Sequence, residues 1–276
     1  MGWFGIGRTK GRRRASRHSS GAAAPGRRLI VGDIHGCAQT MRALLGEYLA
    51  VSRGDHLHFL GDLVSKGPDS RDVLQFLVEL EDAGVGVTVV RGNHEEAILR
   101  ARGKGPAALQ ALLERTNNDS LLTADGGTDL ESPWLRIMEA SRYWVDLHDA
   151  ILVHGGIDMQ RTEPFADGHA LVSLRKTTYN ARVAGNRPVI HGHTRRPLST
   201  IIESLVTDAS VIPLDNGAVG GPSRKPYKVS EYGNLCCLDL DSRILHVQPN
   251  RDIGENEPKV AAYCLSVHLA NRKPSG

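Results

Sequence analysis

The chain has 276 residues, 40% hydrophobic and 24% charged, with a formal net charge of +3, the composition of an ordinary globular protein with one sizeable core or two small ones. No apolar run approaches the ~18 residues of a membrane span, and the start lacks the apolar stretch of roughly 7–15 residues that secretion uses. These features argue against a membrane-spanning chain and set the expectation of a cytoplasmic one.

Residues 1–27 form the first segment. Together with Arg28 they carry eight basic residues (Arg8, Lys10, Arg12, Arg13, Arg14, Arg17, Arg27 and Arg28) and no acid, so the positive charge belongs to the start and the remainder is net acidic. Gly, Ser and Ala without periodicity predict a disordered basic leader, suited at most to weak contact with a polyanion.

From residue 28, apolar β-branched runs predict strands at Leu29–Val31, Leu57–Leu60 and Val87–Val90. They alternate with helical stretches at Gln39–Val51, Ser70–Ala83 and His94–Arg102. Residues 103–148 break this rhythm with helical stretches at Pro106–Arg115 and Pro133–Tyr143 around a polar loop, read as a cap-like insertion. Further strands are predicted at Ile151–Val153, Pro188–His191, Thr200–Glu203, Val211–Leu214, Leu235–Leu240 and Ile244–Val247. The expected fold class is mixed α/β, a β-sandwich flanked by helices, with one main domain over 28–250 and a partly irregular C-terminal extension over 251–276. Cys37, Cys236, Cys237 and Cys264 have no C-x-x-C spacing. Adjacent strand residues such as Cys236 and Cys237 face opposite ways, so neither a disulfide between them nor a sulfur metal site is expected, and reduced thiols suit the cytoplasm.

Five short strings carry the chemistry: Gly32-Asp33-Ile34-His35-Gly36, Gly61-Asp62-Leu63-Val64-Ser65-Lys66-Gly67, Gly92-Asn93-His94-Glu95, His154-Gly155-Gly156 and Gly192-His193-Thr194. Each sits just past the end of a predicted strand, where open α/β sheets place their chemistry. Carboxylate, amide oxygen and imidazole suit hydrolytic divalent metals, and a pair of ions about 3.5–4 Å apart needs a carboxylate able to bridge them. Asp62 is the candidate bridge. Asp33 and His35, two residues apart on a tight turn, can face one ion, while Asn93, His154 and His193 arrive from three other strand ends and can complete the second. The ordered set points to a two-metal phosphoesterase.

These strings resemble the motifs GDxHG, GDxVDRG, GNHE, HGG and a late GH of the phosphoprotein phosphatase branch of the calcineurin-like metallophosphoesterases, over roughly residues 28–248. The resemblance implies a metallophosphoesterase sandwich in which Asp33, His35 and Asp62 bind one divalent ion, and Asp62, Asn93, His154 and His193 the other. Manganese is the expected metal, with iron or zinc as alternatives. His94 would be the general acid, and a hydroxide held between the ions would attack phosphorus in line. Lys66, Asn93 and Arg175 are the implied phosphate contacts, Arg175 standing in Ser173-Leu174-Arg175 where the family often has W-x-R. His191 is read as a strand residue beside the site. Where related esterases add a ligand two residues after His193, this chain has Arg195.

The second motif departs from the pattern, with Ser65-Lys66 where the family has Asp-Arg. Lysine offers a point charge in place of a planar fork, and serine cannot stabilise an imidazolium at His94 as aspartate does. Expelling an alkoxide gains about 10²- to 10⁴-fold from general acid catalysis, whereas a nucleoside polyphosphate is already a good leaving group. The change resembles diadenosine-tetraphosphatase-like phosphatases, while His-Gly-His-Thr and Leu214-Asp215-Asn216-Gly217 resemble bacterial serine/threonine phosphatases. The leading expectation is phosphomonoester hydrolysis on a phosphorylated protein. Hydrolysis of nucleoside polyphosphate anhydrides, on a small phosphate-containing substrate, is the alternative. A non-catalytic phospho-binding protein is the reading of another class.

Overall fold

The computed structural model describes residues 26–123, 127–220, 231–252 and 263–266. Among the described residues there are ten strands: β1 (Arg28–Val31), β2 (His56–Phe59), β3 (Gly86–Val89), β4 (Trp144–Asp146), β5 (Ile151–Val153), β6 (Val189–His191), β7 (Val211–Pro213), β8 (Asn234–Asp239), β9 (Ile244–Pro249) and β10 (Tyr263–Ser266). Six of them form one sheet in the order β10-β9-β8-β1-β2-β3, and the other four a second in the order β4-β5-β6-β7. Strands β1, β2 and β3 run parallel, as do β5, β6 and β7.

Alternating side chains build the layers. Leu29, Val31, Leu57, Phe59 and Cys237 pack into a core shared with helices, while Ile30, Cys236 and Leu238 join Leu152, Ile190 and Ile212 between the two sheets. On the far side of the second sheet, Ile151, Val153 and Val189 meet Leu171 and Ala184. This period of two is what a strand buried on both faces requires. Cys236 and Cys237 therefore lie in different cores, each as a free thiol.

The helices are α1 (Ala38–Met41), α2 (Ser70–Asp82), α3 (Asn93–Gly103), α4 (Pro106–Arg115), α5 (Ser132–Ala140), α6 (Gly168–Ser173), α7 (Ala181–Ala184) and α8 (Leu198–Val206). Helix α2 shows why such segments form where they do. Asp69 caps it by accepting the Asp72 N–H at 2.8 Å, and Val73, Leu74, Leu77 and Leu80 recur at three- and four-residue spacing to make its buried face. Each of those side chains contributes about 1.5–3 kcal/mol by leaving water. The stretch expected as one helix over Gln39–Val51 is α1 followed by a π-helical segment, Arg42–Tyr48, closed by Leu49 N–H donating to the Leu44 carbonyl at 2.9 Å.

One expectation is corrected, and two segments find their place in the fold. Thr200–Glu203, expected as a strand, lies inside α8, because Leu198, Ile201 and Leu205 form a helical stripe that buries into the inter-sheet core. The insertion over 103–148 is mainly part of the helical layer, since Leu109 and Leu113 of α4 and Trp134, Ile137 and Met138 of α5 pack into the helix-side core. Its last residues form β4 of the second sheet. The extension over 251–276 begins within the fold: Asp252 accepts the backbone N–H groups of Gln39 and Thr40, both at 2.9 Å. Beyond it, β10 extends the first sheet.

The expected leader lies outside the described residues except for Gly26 and Arg27. Arg27 is part of the domain, since its backbone N–H, Nε and Nη2 all donate to Asp55. Among the described residues no helix is long and apolar enough to cross a membrane.

Candidate metal centre

The chemistry-bearing residues of all five strings follow strand ends and come together at the rim shared by the two sheets. Asp33 and His35 follow β1, Asp62 follows β2, Asn93 and His94 open α3 just after β3, His154 follows β5 and His193 follows β6. His35, Asp62, Ser65, Lys66 and His193 have φ of 50°, 50°, 72°, 70° and 62°. Left-handed backbone at non-glycine residues collects where a site over-determines it.

Two three-residue groups have ligand atoms mutually within 4.8 Å: His35, Asp62 and His94, and Asp62, His154 and His193. Asp62 belongs to both, as a bridging carboxylate must. Its Oδ2 lies 3.4 Å from His35 Nε2 and 3.9 Å from His94 Nε2, and its Oδ1 lies 3.3 Å from His154 Nε2. Asn93 joins the second group, with Oδ1 3.0 Å from His154 Nε2. The first group differs from the expected one, because His94 stands in it and Asp33 falls outside both. The Asp33 carboxylate instead accepts the His193 backbone N–H at 3.0 Å. A side chain at Gly192 would strike Asp33 Oδ1 at 2.1 Å, so this approach needs glycine.

Glu95 is fully buried. It accepts the N–H groups of Gly92 at 3.0 Å, Asp62 at 2.9 Å and Leu63 at 2.9 Å, which locks the second motif to the third. A Cβ at Gly92 would lie 2.3 Å from Asp62 Oδ1.

The electrostatics suit cations. Burial, then the neighbouring Asp215 and Asp62, holds the Asp33 carboxyl well above the usual range. Burial pushes Asp62 the same way, but the imidazoles of His154, His35 and His94 outweigh it and hold its carboxyl low. Burial also lowers His35 to about 3 and His193 to about 4, which leaves both imidazoles neutral and able to ligate. His94 is lowered by the same cause. The Nδ1 of His154 faces the Leu60 carbonyl at 2.8 Å, a contact that places the proton there and leaves Nε2 free toward Asp62. His193 Nε2 is buried with no hydrogen-bond partner. An orphaned imidazole nitrogen, a shared carboxylate and the raised carboxyls of Asp33 and Asp215 together fit a pair of divalent ions, which would supply the missing partner and the missing charge.

Lys66 reaches the centre, with Nζ 2.8 Å from His35 Nε2. Arg175 is exposed, and its charge acts on His193 while its carbonyl faces the Thr194 hydroxyl at 3.4 Å. Ser65 is buried, and its Oγ accepts Asn118 Nδ2 at 2.7 Å. His191 is buried beside the site on β6, and His58 is buried within β2. Sequence reasoning passed over Asp215, 5% exposed and electrostatically coupled to Asp33. It stands just past β7, so the rule that found the other carboxylates applies to it. Asn118 carried no such signal.

Such a donor set, at the strand ends of a two-sheet sandwich, has the chemistry of a divalent-metal site. The sequence profile of the calcineurin-like phosphoesterases matches residues 26–211. The chain belongs to that family. Among curated relatives it is 34% identical over 146 residues to a symmetrical bis(5'-nucleosyl)-tetraphosphatase of Psychromonas ingrahamii, covering 51% of this chain and 48% of the relative. It is 30% identical over 178 residues to a protein of the same name from Nitrosospira multiformis, covering 60% of each. The chain thus spans about half to three fifths of the length of these relatives. Crystal structures of a candidate diadenosine tetraphosphatase (TM-score 0.59, 20% identity, 83% of this chain and 95% of that one) and of a cold-active protein-tyrosine phosphatase of Shewanella sp. (TM-score 0.54, 18% identity, 89% and 81%) share the fold.

Proposed function

We propose that the chain is a two-metal hydrolase of nucleoside polyphosphate anhydrides, with dinucleoside tetraphosphates as the substrate class. The observation that carries this reading is the buried Ser65 hydroxyl, engaged by Asn118 at the position where the resemblance puts an aspartate. His94 is left with Asp62 as its nearest carboxylate, at 3.9 Å, and Asp62 is the proposed bridge for the metals. With no carboxylate of its own, His94 is a weak device for protonating an alkoxide. A polyphosphate leaving group needs that proton least. The relatives' names support the same substrate class, and for that reason the phosphoprotein reading ranks below it.

Bound divalent cations supply charge neutralisation at phosphorus and acidify water. In this reading Asp62, with Asp33, His35, Asn93, His154 and His193 around it, would hold them. Glu95 holds the Asp62 and Gly92 backbones in register. Lys66 and Arg175 take charge on the phosphate oxygens, the Asn93 amide orients one of them, and His94 donates a proton where the leaving group demands it.

The test compares diadenosine tetraphosphate with a phosphoserine peptide, in Mn²⁺, for wild type and His94→Asn. Wild type should favour the anhydride in kcat/KM. His94→Asn should lower peptide turnover by more than anhydride turnover, and both by less than the about 10²-fold that a well-supported general acid contributes. Preferred turnover of the phosphopeptide by wild type, or equal losses on both substrates, would overturn the assignment.

A further inference from the structure

Ser65 and Lys66 are consecutive residues in left-handed backbone, with φ of 72° and 70°. Neither is glycine, so contacts must hold the turn in place. Ser65 N–H donates to Ser70 Oγ at 2.9 Å, and Gly67 N–H donates to the His35 carbonyl at 2.8 Å. The third contact comes from 53 residues away, where Asn118 Nδ2 donates to Ser65 Oγ at 2.7 Å.

Asn118 touches none of the proposed metal ligands in these contacts, yet it is fully buried. Its N–H donates to the Leu113 carbonyl at 2.8 Å, its Nδ2 also donates to Thr116 Oγ1 at 2.8 Å, and its carbonyl accepts the Leu121 N–H at 2.9 Å. It is thereby fixed to the end of α4 and to the short turn Asp119–Leu121, both docked in the helix-side core through Leu113 and Leu121. The insertion grips the second motif through this amide.

The grip on Ser65 matters because Lys66 is its neighbour in the chain. Lysine carries a point charge on a flexible stem, so its head is aimed only as well as its backbone is. Lys66 Nζ sits 2.8 Å from His35 Nε2, at the centre. We propose that Asn118 is a positioning residue for Lys66: by holding Ser65 it sets the turn that delivers the ammonium to the phosphate. The insertion thereby acts on phosphate binding from outside the site. This rests on the reading of Lys66 as a phosphate contact.

The experiment is calorimetric titration of inorganic phosphate into the Mn²⁺-loaded full-length protein, for wild type, K66M, N118A, S65A and the double variants N118A/K66M and S65A/K66M. K66M should weaken phosphate binding about tenfold, as loss of a charged hydrogen bond does. N118A and S65A should each weaken it by about threefold or more, and neither should add to K66M, since both act through the same ammonium. S65A leaves Asn118 bonded to Thr116, and it carries the test alone if N118A does not fold. With diadenosine tetraphosphate, S65A should raise KM more than it lowers kcat, a split that a general loss of folded protein does not produce. Additive losses in the double variants, or wild-type phosphate affinity in S65A, overturn the role of Asn118. Wild-type affinity in K66M overturns the phosphate role of Lys66, and this proposal with it.

Discussion

Asp55→Asn isolates one ion pair far from the metal centre. Asp55 accepts the backbone N–H of Arg27 at 3.0 Å, its Nε at 3.1 Å and its Nη2 at 2.6 Å, and also the Ser52 N–H at 3.0 Å. These bonds, led by the Arg27 side chain, hold its carboxyl at about 2 against an ordinary 3.8. The difference is worth about 2 kcal/mol at neutral pH. Arg27 is 35% exposed, so solvent screening trims the expected value to about 1–2 kcal/mol. A carboxyl depressed in the folded state stabilises above its unfolded value and loses that contribution as pH falls through the folded value. Urea unfolding of wild type and variant should therefore differ by about 1–2 kcal/mol at pH 7, and by about half as much near pH 3. A gap that stays constant from pH 7 to 3, or no gap at neutral pH, would refute the reasoning. A gap that narrows also confirms that Arg27 is fastened to the domain.

Two further outcomes concern the site and the core. Asp62→Asn removes the carboxylate common to both ligand groups, so calorimetry should show weakened Mn²⁺ binding at two sites, and activity should fall further than in Asp33→Asn; wild-type Mn²⁺ binding at either site would contradict the bridge. Leu77→Ala, in the fully buried face of α2, should cost about 2–5 kcal/mol in urea unfolding, and a loss below about 1 kcal/mol would show that the helix repacks.

The site was legible because its parts are local strings set after strands, and a strand buried on both faces reads as a short apolar run. Asp33, His35, Asp62, Asn93, His94, His154 and His193 converge as that rule implies. Which carboxylates and imidazoles share a group was not legible, because spacing along the chain does not reveal that His94 leans toward Asp62 while Asp33 turns to the His193 backbone. The direction of Ser65 is settled by Asn118, a long-range contact with no sequence signature. Thr200-Ile201-Ile202-Glu203 reads as a strand from β-branched content, but the stripe of Leu198, Ile201 and Leu205 prevails because tertiary burial outweighs propensity. β4 escaped notice as three residues at the end of an insertion, and β10 because it pairs only with β9 at the sheet edge.

The proposed donors for metal come from both halves of the sandwich: Asp33, His35, Asp62 and Asn93 from the strand ends of the six-stranded sheet, His154 and His193 from those of the four-stranded one. Ions held there would work as a clasp across the rim, in addition to the apolar layer between the sheets. Ligands that bind only the folded state stabilise it in proportion to the logarithm of their concentration. Chelation should therefore lower the melting temperature, and amide hydrogen exchange should quicken first in β5 and β6, whose ends lose their tether to the opposite sheet. On that reading, scarcity of divalent metal should also shorten the protein's lifetime against proteolysis.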